Sequence, residues 1–130
     1  PVAFEDGLQT RDFVHVTDVA RAFHLATESA ATGTALNVCT GEASSIFDVA
    51  QGLAQGLNLA IEPELVGRYR AGDIRHCIGD PTRASELLDF RAEVEVKAGL
   101  GELATWLADQ EAHDHVDQAM DELRQRGLER

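Results

Sequence analysis

The chain has 130 residues, 44% of them hydrophobic, so it is long enough to bury a core of moderate size and is not a disordered tail. Its 23 acidic residues outnumber its 11 basic residues and give a formal net charge of −12, which disfavours binding to nucleic acid or to an anionic membrane surface. No apolar run approaches the roughly 20 residues that cross a bilayer, so the sequence predicts a cytoplasmic protein.

Two extended runs at the start of the chain, residues 1–4 and 9–16, flank the segment Glu5-Asp6-Gly7-Leu8. An Asp-Gly pair readily adopts the left-handed geometry of a tight turn, so we expect a β-hairpin here. Thr17 or Asp18 is then expected to cap a helix, because apolar residues follow at helical spacing from that point.

The next segment predicts a buried strand followed by a helix. Residues 35–39 form a short, mostly apolar run, and Ser45 with Asp48 three positions later makes a capping box for the helix. Gly52 and Gly56 lie inside that helix, and each lowers its stability by about 1 kcal/mol relative to alanine, so packing against other elements must hold it. The alternation of strand and helix predicts an α/β fold.

The second half of the chain predicts an edge strand and then a helical third. The run 61–66 contains Pro63, which cannot donate to a central ladder and therefore favours a sheet edge. Residues 67–80 are expected to be irregular, and Asp80-Pro81 opens a short helix. Apolar residues recur at helical spacing from Val96 onward, which predicts that the rest of the chain is helical.

Arginine is the most informative polar residue type in this acidic chain. Arg68, Arg70 and Arg75 fall within eight positions, and the planar guanidinium fork suits bidentate contact with phosphate. The alternative is that these arginines form surface ion pairs with nearby carboxylates such as Asp73 and Asp80. Spacing alone does not decide between the two interpretations.

The histidines and cysteines predict neither a metal site nor a nucleophile. In the string His113-Asp114-His115, successive residues of a helix would project at about 100° from one another, so the ligands would not converge. Cys39 and Cys77 form no CxxC pair and are expected to be reduced thiols. No GxGxxG, P-loop, GxSxG or HExxH string occurs, so the usual dinucleotide fingerprint is absent from this sequence.

Three strings, in order over about residues 1–110, resemble the C-terminal portion of the extended short-chain dehydrogenase/reductases. They are FEDGLQTRDFVHVTDVARAF, ALNVCTGEASSIFDVAQGLAQGL and GRYRAGDIRHCIGDPTRASELLDF. More narrowly, they look like NAD-dependent nucleotide-sugar epimerases and 4,6-dehydratases, and most like 4-epimerases of dTDP- or UDP-sugars. The resemblance implies a Rossmann-type α/β fold in which residues 1–110 form the nucleotide-sugar-binding portion and residues 111–130 a C-terminal helical tail.

The resemblance also implies a substrate site. In the family, the arginines of the RDF and RxGD strings grip the nucleotide diphosphate, which transfers here to Arg11 and Arg70. The aspartate of RxGD, here Asp73, faces the ribose, and the asparagine of LNV, here Asn37, lines the same pocket. Two forks can hold the diphosphate while the sugar rotates, as a 4-epimerase requires. The resemblance to 4-epimerases implies isomerase chemistry rather than lyase chemistry. Cys39 departs from the glycine that the family commonly has.

The catalytic parts of the family are not found in this sequence. The resemblance implies hydride transfer through tightly held NAD, with a tyrosine as general base. Tyr69 is the single tyrosine, and Asp73 stands where the lysine of a catalytic pair would follow it. We therefore expect no catalytic, cofactor-binding or metal-binding residue on this chain and no activity from it alone.

Two further expectations concern partners. The chain is expected to be a piece of a longer polypeptide whose N-terminal Rossmann domain binds NAD, and to form homo-oligomers through surfaces that this domain would cover. An alternative function is a non-catalytic protein-binding or assembly module that retains the fold. Binding of dTDP or UDP would discriminate between the two, because an adaptor has no reason to keep all four pocket residues.

Overall fold

The computed structural model describes residues 2–111 and 113–129, and within them it shows five short strands and five helices. The elements in chain order are β1 (Val2–Ala3), β2 (Thr10–Arg11), α1 (Val16–Glu28), β3 (Ser44–Ser45), α2 (Ile46–Gly56), β4 (Glu64–Leu65), β5 (His76–Cys77), α3 (Thr82–Leu88), α4 (Val96–Ala108) and α5 (Val116–Gln125). This mixture agrees with the predicted α/β class. Pro1 of the first predicted strand, and Ala112 and Arg130 of the predicted tail, lie outside the described residues.

The predicted N-terminal hairpin is wrong, because its two strands enter different sheets. β1 pairs in parallel with β4, whereas β2 lies between antiparallel β3 and parallel β5. The chain does turn where expected, and Gly7, at φ 73°, donates its N–H to the Phe4 carbonyl. However, the N–H groups of Ile46 and Phe47 donate to the carbonyls of Gln9 and Gly7, so the start of α2 occupies the edge that a hairpin needs.

The first two helices have side-chain caps at their N-termini. α1 begins at Val16, and its cap is His15 rather than Thr17 or Asp18, since the His15 imidazole accepts from the Thr17 N–H. The predicted cap of α2 is confirmed at Ser45, whose hydroxyl accepts from the Asp48 N–H at 3.0 Å. The Asp48 carboxylate accepts from the Ser45 hydroxyl at 2.6 Å, and not from the Ser45 N–H as a full capping box requires.

The strand predicted at residues 35–39 is not formed. This segment belongs to neither sheet among the residues that the structure describes, because no neighbouring strand shares ladder hydrogen bonds with it. Leu36 and Val38 instead pack, partly buried, against the core, while Asn37 is exposed between them.

The arginine-rich half of the chain is more regular than predicted. β4 lies within the predicted run 61–66 and forms the edge of a two-stranded sheet, with Pro63 buried beside it. β5 falls inside the segment predicted to be irregular. Pro81 is the N-cap of α3 rather than its first helical residue, and the Asp80 carboxylate just before it accepts from the Thr82 N–H at 2.9 Å.

Two helix pairs fill the interior. Ala22 of α1 and Ala84 and Leu88 of α3 form the main buried cluster with Phe90. α2 packs against α4 at its two glycines: a Cβ atom on Gly56 would lie 2.8 Å from the Cβ of Ala104, and one on Gly52 would lie 2.8 Å from Leu100 Cδ1. The glycines that weaken α2 as an isolated helix therefore allow its close contact with α4.

The predicted helical tail contains α5, and in the described residues no helix is long and apolar enough to span a bilayer. The string from His113 to His115 precedes α5 and is exposed, so these residues lie outside the helix in which the sequence analysis placed them. Within residues 2–111 and 113–129, no three His, Cys, Asp or Glu side chains converge as metal ligands.

Candidate substrate-binding site

Arg11 lies on the central strand of the three-stranded sheet, opposite Cys77 of β5 and Ser44 of β3. Its Nη1 donates to the Thr10 carbonyl at 2.8 Å and to the Arg75 carbonyl at 3.2 Å. A guanidinium group carries five N–H donors, and these two bonds use only Nη1. The half-buried side chain is thus oriented by the backbone and keeps donors for an anion.

Asp12 follows Arg11 and ties three segments together. One carboxylate oxygen accepts from the N–H of Thr40 at 2.8 Å and from its hydroxyl at 2.7 Å, and the other accepts from the N–H groups of Gly41 at 2.9 Å and Gly79 at 3.3 Å. Burial opposes ionisation, but these donors outweigh it and lower the pKa of Asp12. The sequence analysis did not single out Asp12, although its position next to Arg11, an expected phosphate ligand, could have indicated a role at the site.

Cys39 is buried at the same junction, next to Asp12. A Cβ atom on Gly79 would lie 2.5 Å from the Cys39 sulfur, so the thiol packs directly on the backbone after β5. Burial, with the negative charge of Asp12 nearby, raises the pKa of this thiol. The position that departs from the family pattern therefore holds a protonated, packed thiol and not an activated nucleophile.

Asn37 contacts the segment that follows β5. Its amide nitrogen donates to the Asp80 carbonyl at 3.3 Å, and its side chain is exposed. This contact places the LNV string beside Gly79, which also bonds to Asp12. Arg11 and Asn37 are therefore attached to one junction formed by residues 11–12, 37–41 and 77–80.

Arg70 and Asp73 lie together on a loop between β4 and β5. The Arg70 Nε is 3.1 Å from an Asp73 carboxylate oxygen, and the Arg70 guanidinium stacks 5.1 Å from the centre of the Phe4 ring. The side chains of this ion pair are 47% and 46% exposed, so an incoming anion can reach them. The surface ion pair weighed as the alternative interpretation of the sequence is thus formed at Arg70.

The other two arginines of the sequence cluster are engaged elsewhere. Arg75 contacts Glu5 and Asp6, and its hydrogen bond to Asp6 is the main cause that lowers the pKa of that carboxyl to about 2. Arg68 forms an ion pair with Glu129 at 2.7 Å. Arg75 and Arg68 therefore fix the ends of the loop that carries Arg70.

The four residues predicted for the site form two pairs. Among the described residues, no hydrogen bond or ion pair joins Arg11 or Asn37 directly to Arg70 or Asp73. The link is indirect, because Arg11 donates to the carbonyl of Arg75, two residues after Asp73. Both pairs thus border the segment from Arg70 to Asp80.

Comparison with known proteins identifies the family. The sequence profile of the NAD dependent epimerase/dehydratase family matches residues 1–39. The dTDP-L-rhamnose 4-epimerase of Burkholderia thailandensis is 38% identical over 107 residues, which cover 81% of this chain and 29% of that protein.

Two solved 4-epimerase structures are also similar to this chain. The UDP-glucose 4-epimerase of Thermotoga maritima, solved with UDP-glucose, has a TM-score of 0.75 and 29% identity over 82% of this chain and 35% of that one. The UDP-N-acetylglucosamine 4-epimerase of Methanobrevibacter ruminantium M1, solved with UDP-N-acetylmuramic acid, has a TM-score of 0.77 and 28% identity over 85% of this chain and 35% of that one.

The fold is therefore that of the short-chain dehydrogenase/reductases, in the part of their Rossmann-type architecture that these alignments cover. The chain belongs to the NAD-dependent nucleotide-sugar epimerase/dehydratase family. It spans 29% of the length of the Burkholderia relative and 35% of both solved relatives.

Proposed function

We propose that this chain is the nucleotide-sugar-binding portion of an NAD-dependent 4-epimerase that acts on dTDP- or UDP-sugars. The single observation that supports it most is the hydrogen bond from Arg11 to the Arg75 carbonyl, because it couples β2 to the loop that holds Arg70 and Asp73. The named relatives are 4-epimerases, and two of them were solved with UDP-sugars.

The proposed role of the two arginines is to hold the diphosphate. Arg70 exchanges its contact with Asp73 for a phosphate oxygen, while the Phe4 ring keeps the guanidinium plane in position. Arg11 offers its remaining donors to the other phosphate. Asp73, released from Arg70, accepts from ribose hydroxyls, and Asn37 lines the pocket beside it. Held only at the diphosphate, the sugar can present either face to a hydride carrier.

NAD, when bound, supplies hydride acceptance and return in this chemistry. The described residues do not fit it: the pyrophosphate of NAD binds at a helix N-terminus that directly follows a glycine-rich turn, and none of the five described helices is preceded by a GxGxxG string. We therefore place NAD binding in the part of a longer protein that corresponds to the uncovered length of the relatives.

Calorimetric titration with dTDP and UDP tests the proposal. Replacing Arg11 or Arg70 with alanine is expected to weaken binding by about 1.5 to 3 kcal/mol, the range for hydrogen bonds to charged groups. The control is Arg83→Ala, which removes an exposed arginine of α3 that contacts Thr34. Equal binding by the wild type and the Arg11→Ala, Arg70→Ala double variant would contradict the clamp.

The alternative function is a non-catalytic assembly module. Its support is the apolar groove of about 480 Å³ between residues 13–17 and α4, where Val16 and Trp106 are 72% and 60% exposed. Such a module would need no nucleotide. If neither dTDP nor UDP binds the wild-type chain, the assembly module becomes the favoured function.

A further inference from the structure

The segment after α5 is built into the loop that carries Arg70. The chain reverses at Gly127, at φ 63°, and the Leu128 carbonyl accepts from the Ala71 N–H at 2.7 Å. Glu129 forms an isolated antiparallel bridge with Arg70. The tail therefore fixes the backbone immediately after Arg70.

The Glu129 carboxylate lies between two arginines. One of its oxygens forms an ion pair with the Arg68 Nε at 2.7 Å, without the alignment of a hydrogen bond, and the other accepts from the Arg124 Nε at 2.9 Å. The side chain is only 4% exposed, and Arg124 is itself held by Asp121 at 3.0 Å. A buried carboxylate between two guanidinium groups has few alternative positions, so it fixes the geometry of its partners.

The Arg70 loop has few anchors of its own. Gly67 and Gly72 have positive φ angles, and a Cβ atom on either would meet no atom within 4 Å. At the start of the loop, the Arg68 carbonyl accepts from the Glu5 N–H at 2.7 Å. The loop is thus held from two sides, by the segment after β1 and by the tail.

We propose that the tail positions Arg70 for the nucleotide diphosphate, with Glu129 as the positioning residue. This rests on the proposed function, since it assigns to the tail the ordering of one of the two phosphate ligands. A loop that is ordered before the ligand arrives loses less conformational entropy on binding, which raises affinity. Glu129 does not touch the ligand and acts through Arg68 and the backbone of Ala71.

The first measurement needs no nucleotide. Amide hydrogen exchange in residues 68–73 is expected to be about tenfold faster in Glu129→Gln than in the wild type, because the charge-assisted contacts are lost. Exchange within α2 reports general stability, and Glu86→Gln, an exposed carboxylate of α3, is the matched control. Unchanged exchange in residues 68–73 would overturn the proposal.

The second measurement is titration with dTDP and UDP. Glu129→Gln is expected to weaken binding about tenfold, whereas Glu129→Asp, which keeps the carboxylate, is expected to recover part of the affinity. If Glu129→Gln does not fold, Arg124→Gln replaces it in this test. That substitution removes one partner of the Glu129 carboxylate, at an arginine whose side chain is 49% exposed.

The outcomes separate the two hypotheses. If the wild type binds through Arg70 and the Glu129→Gln variant binds equally well or more tightly, the positioning role alone is wrong. If the wild type binds neither nucleotide, or binds it equally without Arg70, the proposed function fails as well. Slower amide hydrogen exchange at residues 68–73 in Glu129→Gln, measured without nucleotide, would also contradict the positioning role.

Discussion

The carboxylate of Asp12 accepts hydrogen bonds from both the backbone N–H and the hydroxyl of Thr40, at 2.8 and 2.7 Å. Its second oxygen holds the N–H groups of Gly41 and Gly79. One half-buried side chain on the end of β2 therefore joins the segment that carries Asn37 to the segment that follows β5. Because Arg11 precedes Asp12, this junction also fixes the strand position from which Arg11 reaches the proposed site.

Replacement of Asp12 with asparagine is expected to lower the free energy of unfolding by about 1.5 to 3 kcal/mol. The amide has a single acceptor oxygen, so the N–H groups on one side of the junction would face an NH2 group. Urea denaturation measures the change. Asp109→Asn, which alters an exposed carboxylate at the end of α4, is the control, and an equal loss in both variants would contradict the prediction.

Acid is expected to unfold the protein partly through Asp18, which is 2% exposed. Burial opposes its ionisation, but the N–H groups of Val94 and Glu93, at 3.0 and 2.9 Å, and Arg21 at 2.6 Å outweigh burial and lower the pKa of Asp18. Since the folded pKa lies below the unfolded value of about 3.9, the stabilisation is complete above that value and is lost as the pH falls through the folded pKa.

Urea denaturation between neutral pH and pH 3 measures this dependence. Asp18→Asn is expected to be less stable than the wild type at neutral pH and to lose less stability on acidification. Asp12, whose pKa is also lowered, accounts for part of the slope that remains. Parallel stability curves for the two proteins would contradict the assignment to Asp18.

The two glycines of α2 and one glycine of α4 give a matched test of the helix contact. Gly56→Ala is expected to destabilise the protein by about 1 to 3 kcal/mol, because the added methyl would lie 2.8 Å from the Cβ of Ala104 and the helices would have to separate. Gly52→Ala is expected to cost less, because its neighbour is the flexible end of Leu100.

Gly101→Ala is the control within α4. A Cβ atom there would meet no atom within 4 Å, so the substitution is expected to stabilise the helix by up to about 1 kcal/mol. Thermal or urea unfolding of the three variants decides the question. If Gly56→Ala is as stabilising as Gly101→Ala, the close contact between α2 and α4 is not maintained in solution.

The features predicted correctly from sequence depend on nearby residues. The start of α2 was recognisable because Ser45 and Asp48 are three positions apart, and α4 from the apolar spacing that begins at Val96. Strand pairing was not recognisable from the sequence, because β1 pairs with β4, which lies some 60 residues away. The Asp-Gly turn contains no information about that partner strand. The run 35–39 has strand composition, but a strand also needs a neighbour to share its hydrogen bonds.

Prediction of the site was likewise limited to contacts between residues that are close in sequence. The sequence strings selected Arg70 and Asp73, and their spacing of three residues already allowed the ion pair that the structure contains. The contact between Glu129 and Arg68 joins positions far apart in the sequence, and no string covered Glu129, so no local signal indicated this contact. Which arginines remain available to a ligand depends on such distant carboxylates.

The 130-residue chain is expected to bind no NAD and to turn over no nucleotide sugar on its own. The physical reason is that hydride transfer needs the carrier and a general base near the sugar, and the sequence supplies no tyrosine-lysine pair for that base. Chromatographic product analysis with UDP-glucose and NAD measures turnover. Turnover by the homogeneous chain would contradict the prediction, and an N-terminal Rossmann domain added in trans is expected to restore activity.

Self-association is expected through the groove between residues 13–17 and α4. α2 packs against α4 through Gly52 and Gly56, and the tail packs against the Arg70 loop. In the groove, however, Val16, Leu103 and Trp106 are 72%, 42% and 60% exposed, and a contiguous apolar patch favours a partner.

Light scattering tests this self-association and should give a mass above 14.1 kDa that rises with concentration. Trp106→Gln should lower that mass, whereas Leu59→Gln, at a side chain 49% exposed outside the groove, should not. A wild-type mass of 14.1 kDa at every concentration would show that the groove needs no second copy.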